Sequence, residues 1–211
     1  MRVFENSCTF EYSWNQVSIA NWRKYCAWNT QSTHVIAVDT LGRHVDPSTG
    51  IVCLPPSSCA LSLSFPLNGS RRLTATQQLH SERLITCRQS APRWLLKLTG
   101  VPDVSHVREL SEVDPATETV TMRSENLTGS HIVRVQETVV YAPHPDAPRA
   151  RTLFTQGARI TAYGGFSRVC ARVEEWSVER FGQNAQRGRM GFEAVLEMSA
   201  RAFRPQQTDD A

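Results

Sequence analysis

No run of about 18 apolar residues occurs in the chain, which excludes a membrane-spanning helix. The opening MRVFENSCTF lacks a charged stretch followed by an apolar one, so a secretory route is not expected, and the sequons at Asn68 and Asn126 read as chance matches. Six cysteines (Cys8, Cys26, Cys53, Cys59, Cys87, Cys170) show no CxxC pair and no paired Cys/His spacing. That pattern argues against zinc and redox motifs and for scattered buried thiols; a local Cys53–Cys59 disulfide is compatible with the spacing but not required by it. A GxSxG elbow, an HExxH pair and a phosphate-cradling loop are all absent. Glu174 and Glu175, adjacent on a helix, point about 100° apart and make a poor carboxylate pair. The expectation is therefore no enzyme, no cofactor and no metal. A net charge of +3 permits attraction to anionic lipid without the dense Lys/Arg face of a nucleic-acid binder.

What is present is an ordinary globular balance, 40% hydrophobic and 20% charged over 211 residues, which suits one domain. Residues 3–12 alternate, with Phe4, Cys8, Phe10 and Tyr12 facing one way, so a half-buried strand is predicted. Ser13-Trp14-Asn15-Gln16 has the form of a capping box and predicts a helix to about Tyr25, with Trp14, Val17 and Asn21 along one side. His34–Val38 predicts a strand ending at the turn-prone Leu41-Gly42 and Asp46-Pro47 region, and Leu79–Arg88 another. Four strands follow, over about 103–113, 118–126, 131–142 and 151–163, as a meander of hairpins.

From Phe166 the period becomes 3.6. Phe166, Cys170, Val173, Ser177, Phe181, Ala185, Gly188, Phe192 and Val195 form one stripe, predicting a helix of about 35 residues and about 50 Å. The fold class is α+β with a helix-grip layout: a curved antiparallel sheet of six or seven strands, a short N-terminal helix and a long C-terminal helix. An elongated apolar cavity is the natural result where helix and sheet do not fully meet. Arg180, Asn184 and Arg187, at i, i+4 and i+7, align along one edge of the stripe. Such donors suit a phosphate headgroup whose chains enter the groove, and equally a solvated basic flank.

The segments FENSCTFEYSWNQVSIANWRKY, STHVIAVDTL, ERLIT, APRW, SHVRELSEVDP, TMRSENLT, ETVVYAPHPD, TLFTQGARITAYG and VEEWSVERFGQNAQRGRMGFEAVL together resemble a PRELI domain. In STHVIAVDTL, SHVRELSEVD, TMRSENLT and EEWSVERFGQNAQRGRMGF the wording is similar to the fungal branch that carries phosphatidylserine, and more distant from the phosphatidic-acid carriers. The resemblance implies a non-enzymatic carrier of one phospholipid in the mitochondrial intermembrane space, imported without a cleaved presequence. It also implies a heterodimer with a small twin-CX9C helical-hairpin protein, transient contact with anionic mitochondrial membranes, and support of phosphatidylethanolamine and cardiolipin homeostasis. By the same resemblance, headgroup contacts fall on Lys24, His34, Arg180, Asn184 and Arg187. The family's third-strand lysine falls at Cys87, with Arg88 the neighbouring basic residue. The lid over the pocket corresponds to about 91–102, with Pro92, Trp94, Leu95 and Leu98, which also suit a cap on the core. The alternatives are a phosphatidic-acid carrier, a non-transferring regulatory partner of the hairpin protein, and a helix-grip enzyme such as a cyclase or hydrolase.

Two departures stand out. The stretch Cys26–Gln31 is longer than the family's Pro-Asn turn by about two residues, and it lies between Lys24 and His34. Residues 51–78 form a Ser-, Leu- and Pro-rich insertion without clear alternation, inside a single domain over 1–204 that is followed by a polar tail at 205–211. We read the insertion as a retained intron, because its edges are abrupt and its removal restores the family pattern. A genuine loop contacting a partner or membrane through Leu61, Leu63, Phe65 and Leu67 is the rival. Transcript sequencing should yield messages that mostly lack these codons; messages that mostly keep them would sink the intron reading.

Overall fold

The computed structural model describes residues 1–26, 28–45, 78–88, 100 and 102–202. Pro92, Trp94, Leu95 and Leu98 of the expected lid, Cys53 and Cys59, all of the insertion but Gln78, and the tail lie outside them.

Seven strands are present: β1 (Arg2–Phe10), β2 (Val35–Val45), β3 (Leu79–Arg88), β4 (Val104–Asp114), β5 (Thr119–Asn126), β6 (Val133–Pro143) and β7 (Thr152–Ala162). They form one antiparallel sheet in the order β1-β7-β6-β5-β4-β3-β2. From β2 to β7 neighbours in sequence are neighbours in space, the meander that the spaced turn residues predict. β1 closes the far edge against β7, with Arg2 opposite Ile160 and Phe10 opposite Thr152. Period-2 alternation then sends one set of side chains inward, among them Ile85, Met122, Val139 and Tyr141.

Helix α1 (Trp14–Asn21) begins as expected: Gln16 Oε1 accepts from the Ser13 backbone N–H at 3.1 Å, and Trp14, Val17 and Asn21 are buried. It stops at Asn21, short of Tyr25. Its last turn tightens into i→i+3 bonds from Arg23 N–H to Ala20 O (2.9 Å) and from Lys24 N–H to Asn21 O (3.3 Å). Tertiary contacts decide that end, because Trp22 is taken up by two arginines of the sheet. Of the expected strand-ending region at Leu41-Gly42 and Asp46-Pro47, only the Leu41-Gly42 part is corrected. β2 runs through it to Val45, and the pairing with β3 skips a residue between Thr40 and Gly42, a bulge that absorbs the glycine without ending the strand.

Helix α2 (Ser167–Ala202) spans 36 residues and crosses the concave side of the sheet. The predicted stripe places Val173, Phe192 and Val195 in buried positions. Phe166 departs from it: it precedes the helix, its carbonyl accepts from Val169 and Cys170, and its side chain is exposed. The main core lies at one end of α2. Phe192 meets Phe10 edge-on at 5.3 Å and Tyr141 at 5.7 Å, with Val17, Val120, Met122, Val139 and Leu196 packed around them.

Beside that core a short 3-10 turn (Thr30–Ser32) packs on α2 at Gly191. A Cβ built there would lie 2.8 Å from Asn29 Oδ1 and 2.9 Å from Gln31 Cβ, whereas one at Gly188 meets nothing within 4 Å. Alanine gains about 1 kcal/mol over glycine inside a helix, while overpacking costs about 1–3 kcal/mol. Gly191→Ala should therefore lower the urea midpoint and Gly188→Ala should raise it or leave it unchanged. Equal midpoints for the two variants would mean that the contact at Gly191 gives way freely.

Candidate functional site

Between α2 and the sheet, with Phe10, Tyr141 and Phe192 of the core forming part of its wall, lies a cavity of about 420 Å³. Apolar side chains make much of its wall, including Ile85, Val107, Val135 and Val139 from the sheet and Trp176 and Phe181 from the helix. It reaches the strand ends at Pro102, Asp103, Gly129 and Ile132. A container of this size and lining falls within the range of ligand pockets.

The predicted headgroup residues distribute unevenly. Lys24, His34, Arg180 and Asn184 line the cavity. Arg187 is exposed and does not line it, yet its charge acts on His34 together with those of Lys24 and Arg180. Strand alternation puts Cys87 on the cavity side and leaves Arg88 exposed on the other, so Arg88 is not brought to the cavity. The Arg88 backbone N–H instead donates to His34 O at 2.7 Å and fixes the start of β2.

Lys24 is held where an ammonium can survive. Burial works against its charge, but nearby acidic groups raise it above the ordinary lysine range: Tyr25 and Tyr141 once ionised at high pH, and the carboxylates of Glu137 and Glu109 already near pH 7. Tyr141 is pushed up to about 12, chiefly by burial, and burial raises Tyr25 as well, so both are neutral phenols near pH 7. His34 goes the other way. Burial lowers it first, then the positive charges of Lys24, Arg180 and Arg187. Arg180 donates from Nη1 to Gln183 Oε1 at 3.4 Å, while its Nε is buried with no hydrogen-bond partner. These side chains repel one another around one wall of an apolar space, an arrangement that an anion would relieve.

Sequence reasoning missed the parts that hold this wall in place. Trp22 lies under Arg43 at 4.8 Å and under Arg83 at 5.2 Å, and Arg83 also approaches the Tyr25 ring at 6.0 Å. Arg83 Nε donates to Glu109 Oε1 at 2.9 Å in a buried ion pair. Asn29 Nδ2 donates to the Lys24 carbonyl at 2.7 Å, and Asn29 Oδ1 accepts from Gln31 N–H at 3.2 Å. The lengthened Cys26–Gln31 stretch thus braces Lys24. Within the cavity, Glu137 accepts from Ser124 Oγ (2.9 Å) and from Gln156 Nε2 (2.6 Å). Glu109 and Glu137 are therefore both engaged by donors. The only early signal for either was an acidic residue on an alternating strand, which is as common on solvated faces.

The PRELI-like family model matches residues 70–202, more than half of the chain. The chain belongs to the PRELI-like family. Among PRELI-like relatives, it is 43% identical over 198 residues to "Protein UPS2, mitochondrial" of Saccharomyces cerevisiae, covering 94% of this chain and 74% of that protein. It is 41% identical to "UPS-like protein C36.10" of Schizosaccharomyces pombe, covering 100% of this chain and 99% of that one. In fold the PRELI-like chain is similar to the crystal structure of TTHA0849 from Thermus thermophilus. That match has a TM-score of 0.50 at 10% identity, over 94% of this chain and 99% of that one. The helix-grip architecture expected from the sequence is the one observed.

Because burial first, and then the charges of Lys24, Arg180 and Arg187, lower His34, its titration reports on the site. The folded value lies below the unfolded one, so His34 withdraws stability as pH falls below the ordinary histidine value of 6.5 and not above it. NMR titration should find His34 below 6.5 in the lipid-free protein, and higher in Arg180→Gln or on binding of an anionic lipid. An unchanged titration in both conditions would remove the cationic neighbours from contact with His34.

Proposed function

We propose that the protein is a non-enzymatic phospholipid carrier, moving phosphatidylserine between the outer and inner mitochondrial membranes. The observation that carries this is the wall formed by Lys24, His34, Arg180 and Asn184 on an otherwise apolar cavity between α2 and the sheet. Arg and Lys donors recognise a phosphate in the low dielectric of that space, and the apolar lining shelters acyl chains in transit. Arg187, whose charge reaches His34, extends the cationic field to the exposed face of α2. Pro92, Trp94, Leu95 and Leu98 would form the lid.

Membership of the PRELI-like family supports lipid transfer, and the mitochondrial name of the Saccharomyces cerevisiae relative supports the location. The choice of phosphatidylserine follows the segment-level resemblance to the fungal carriers, as do the intermembrane space and a twin-CX9C hairpin protein as heterodimer partner. The two glutamates facing the cavity favour a carrier over an enzyme, since Glu109 is committed to Arg83 and Glu137 to Ser124 and Gln156.

The test is headgroup-resolved transfer between liposomes by the chain co-expressed with its hairpin partner. Phosphatidylserine should move faster than phosphatidic acid; the reverse order assigns the chain to the phosphatidic-acid branch, and no transfer of either leaves a regulatory partner. A charge-assisted hydrogen bond contributes about 1.5–3 kcal/mol, so Arg180→Glu should slow transfer about tenfold or more with an unchanged melting temperature. Arg187→Glu should slow it less. Transfer at the wild-type rate in both variants would return these arginines to a solvated basic flank.

A further inference from the structure

Two of the cavity's polar side chains, Arg180 and Asn184, stand on α2 itself, whereas Lys24 and His34 belong to the segment between α1 and β2. A wall drawn from two separate elements keeps its geometry only if something holds those elements in register. The short 3-10 turn at Thr30–Ser32 lies between Lys24 and His34, and the residue that caps it, Asn29, is 6% exposed.

Asn29 spends its polar groups within this segment. Beyond the side-chain bonds to the Lys24 carbonyl and the Gln31 N–H, its backbone N–H donates to Cys26 O at 2.9 Å and its carbonyl accepts from Ser32 N–H at 3.1 Å. Lys24 is gripped on both sides, since its own N–H donates to Asn21 O at 3.3 Å. From that fixed backbone its side chain sets Nζ 5.4 Å from the Tyr25 ring centroid. Turning the buried Asn29 amide to another rotamer would leave a buried donor or acceptor unpaired, so one orientation is strongly preferred.

The same amide rests on α2. A Cβ at Gly191 would lie 2.8 Å from Asn29 Oδ1 and 3.1 Å from Asn29 Nδ2, so the helix passes this close only because the residue there has no side chain. Glycine is a poor residue for a helix interior, and here it admits the amide against the helix backbone. Gly191 lies about two turns beyond Asn184 on the same helix. The rod that presents Arg180 and Asn184 to the cavity is thus also the rod that seats the brace of Lys24.

We propose that Asn29, seated on Gly191, is the positioning residue that holds Lys24 in register with Arg180 and Asn184, so that the two halves of the phosphate wall close on a headgroup as one unit. This rests on the carrier reading. A phosphate held from both elements needs its donors within hydrogen-bond reach together, and a displacement of about 1 Å is enough to lose one of them. Moving α2 away from the turn withdraws Arg180 and Asn184 and unseats Lys24 in the same motion, which makes release of the phosphate a single step.

The experiment is a double-mutant cycle on the full chain with its hairpin partner, read by phosphatidylserine transfer between liposomes and by NMR titration of His34. Asn29→Ala should slow transfer about tenfold in the wild-type background and leave it unchanged in the Lys24→Gln background. It should also raise His34 toward 6.5, because Lys24 is one of the cations that lower it, together with Arg180 and Arg187, and should add nothing to the rise that Lys24→Gln itself causes. Gly191→Ala, which presses on the same amide from α2 and leaves Lys24 and Asn29 in place, should raise His34 in the same direction; it decides the matter if Asn29→Ala does not fold. An equal loss of transfer in both backgrounds would make Asn29 a general brace of the fold and overturn the proposal. So would a His34 titration that neither variant moves. A wild-type chain that transfers no lipid would sink the carrier reading, while the His34 titration would still show whether Asn29 places Lys24.

Discussion

The packing of Phe192 against Phe10 and Tyr141 decides where the rest of α2 can go. A helix of 36 residues is a nearly straight rod, while a seven-stranded antiparallel sheet twists and curls. A rod laid across a curved surface can touch it closely along only part of its length. In this chain the aromatic triad, with Val17, Val195 and Leu196 beside it, takes that close contact at one end. Around Trp176 the cavity lies between helix and sheet, while at the start of α2 Val173 is buried, Glu174 accepts from the Ala162 N–H at 3.0 Å, and Phe4 meets Phe181 at 5.1 Å. The cavity is thus the space that helix and sheet leave between them beside that core, whose aromatics form part of its wall, and its walls inherit whatever the two periodicities place there.

Into that space the chain puts charge, at a cost. Burial and the cations Lys24, Arg180 and Arg187 work against a charge on His34, and the Arg180 Nε is buried without a hydrogen-bond partner. The fold offsets this with structure outside the cavity wall. Trp22 beneath Arg43 and Arg83, the buried Arg83–Glu109 pair and the Asn29 bond to the Lys24 carbonyl fix the segment after α1 against β2, β3 and α2. A site held in an unfavourable electrostatic state by surrounding packing is a frequent arrangement at ligand sites, because the ligand recovers the cost when it binds.

The strand meander and the long helix were legible because each is a sustained period: two residues along β4–β7 and 3.6 along α2. The early capping box was legible for the same local reason. What failed were the places where distant residues decide. The end of α1 depends on arginines of β2 and β3, and the strand through Leu41-Gly42 depends on β3 supplying a partner across a bulge. Phe166 fitted the helical spacing, yet spacing does not show where a helix begins to pack. The headgroup candidates on α2 could be read as an edge, but periodicity alone leaves open which side of that edge meets the cavity: Arg180 and Asn184 face inward and Arg187 outward. Glu109 and Glu137 were illegible for the complementary reason, since an acidic residue on an alternating strand gives no sign of an arginine or glutamine waiting opposite.

Cys87 bears on cargo in a way that its position alone did not suggest. It occupies the cavity side of β3, where the resemblance implies a lysine, and burial raises its thiol further above neutrality, so the position contributes no charge. Its neighbour Arg88 lies on the opposite face and does not make up the loss. The wall therefore works with one cation fewer, and Glu109 and Glu137 temper what remains of the positive potential. A phosphomonoester headgroup brings up to two negative charges on one phosphate, whereas a phosphodiester brings a single one there. With Coulomb energy scaling as the product of charges, losing a cation weakens attraction for the doubly charged phosphate about twice as much as for the singly charged one. The neutral thiol at Cys87 thus adds no attraction of its own for a phosphate in either charge state.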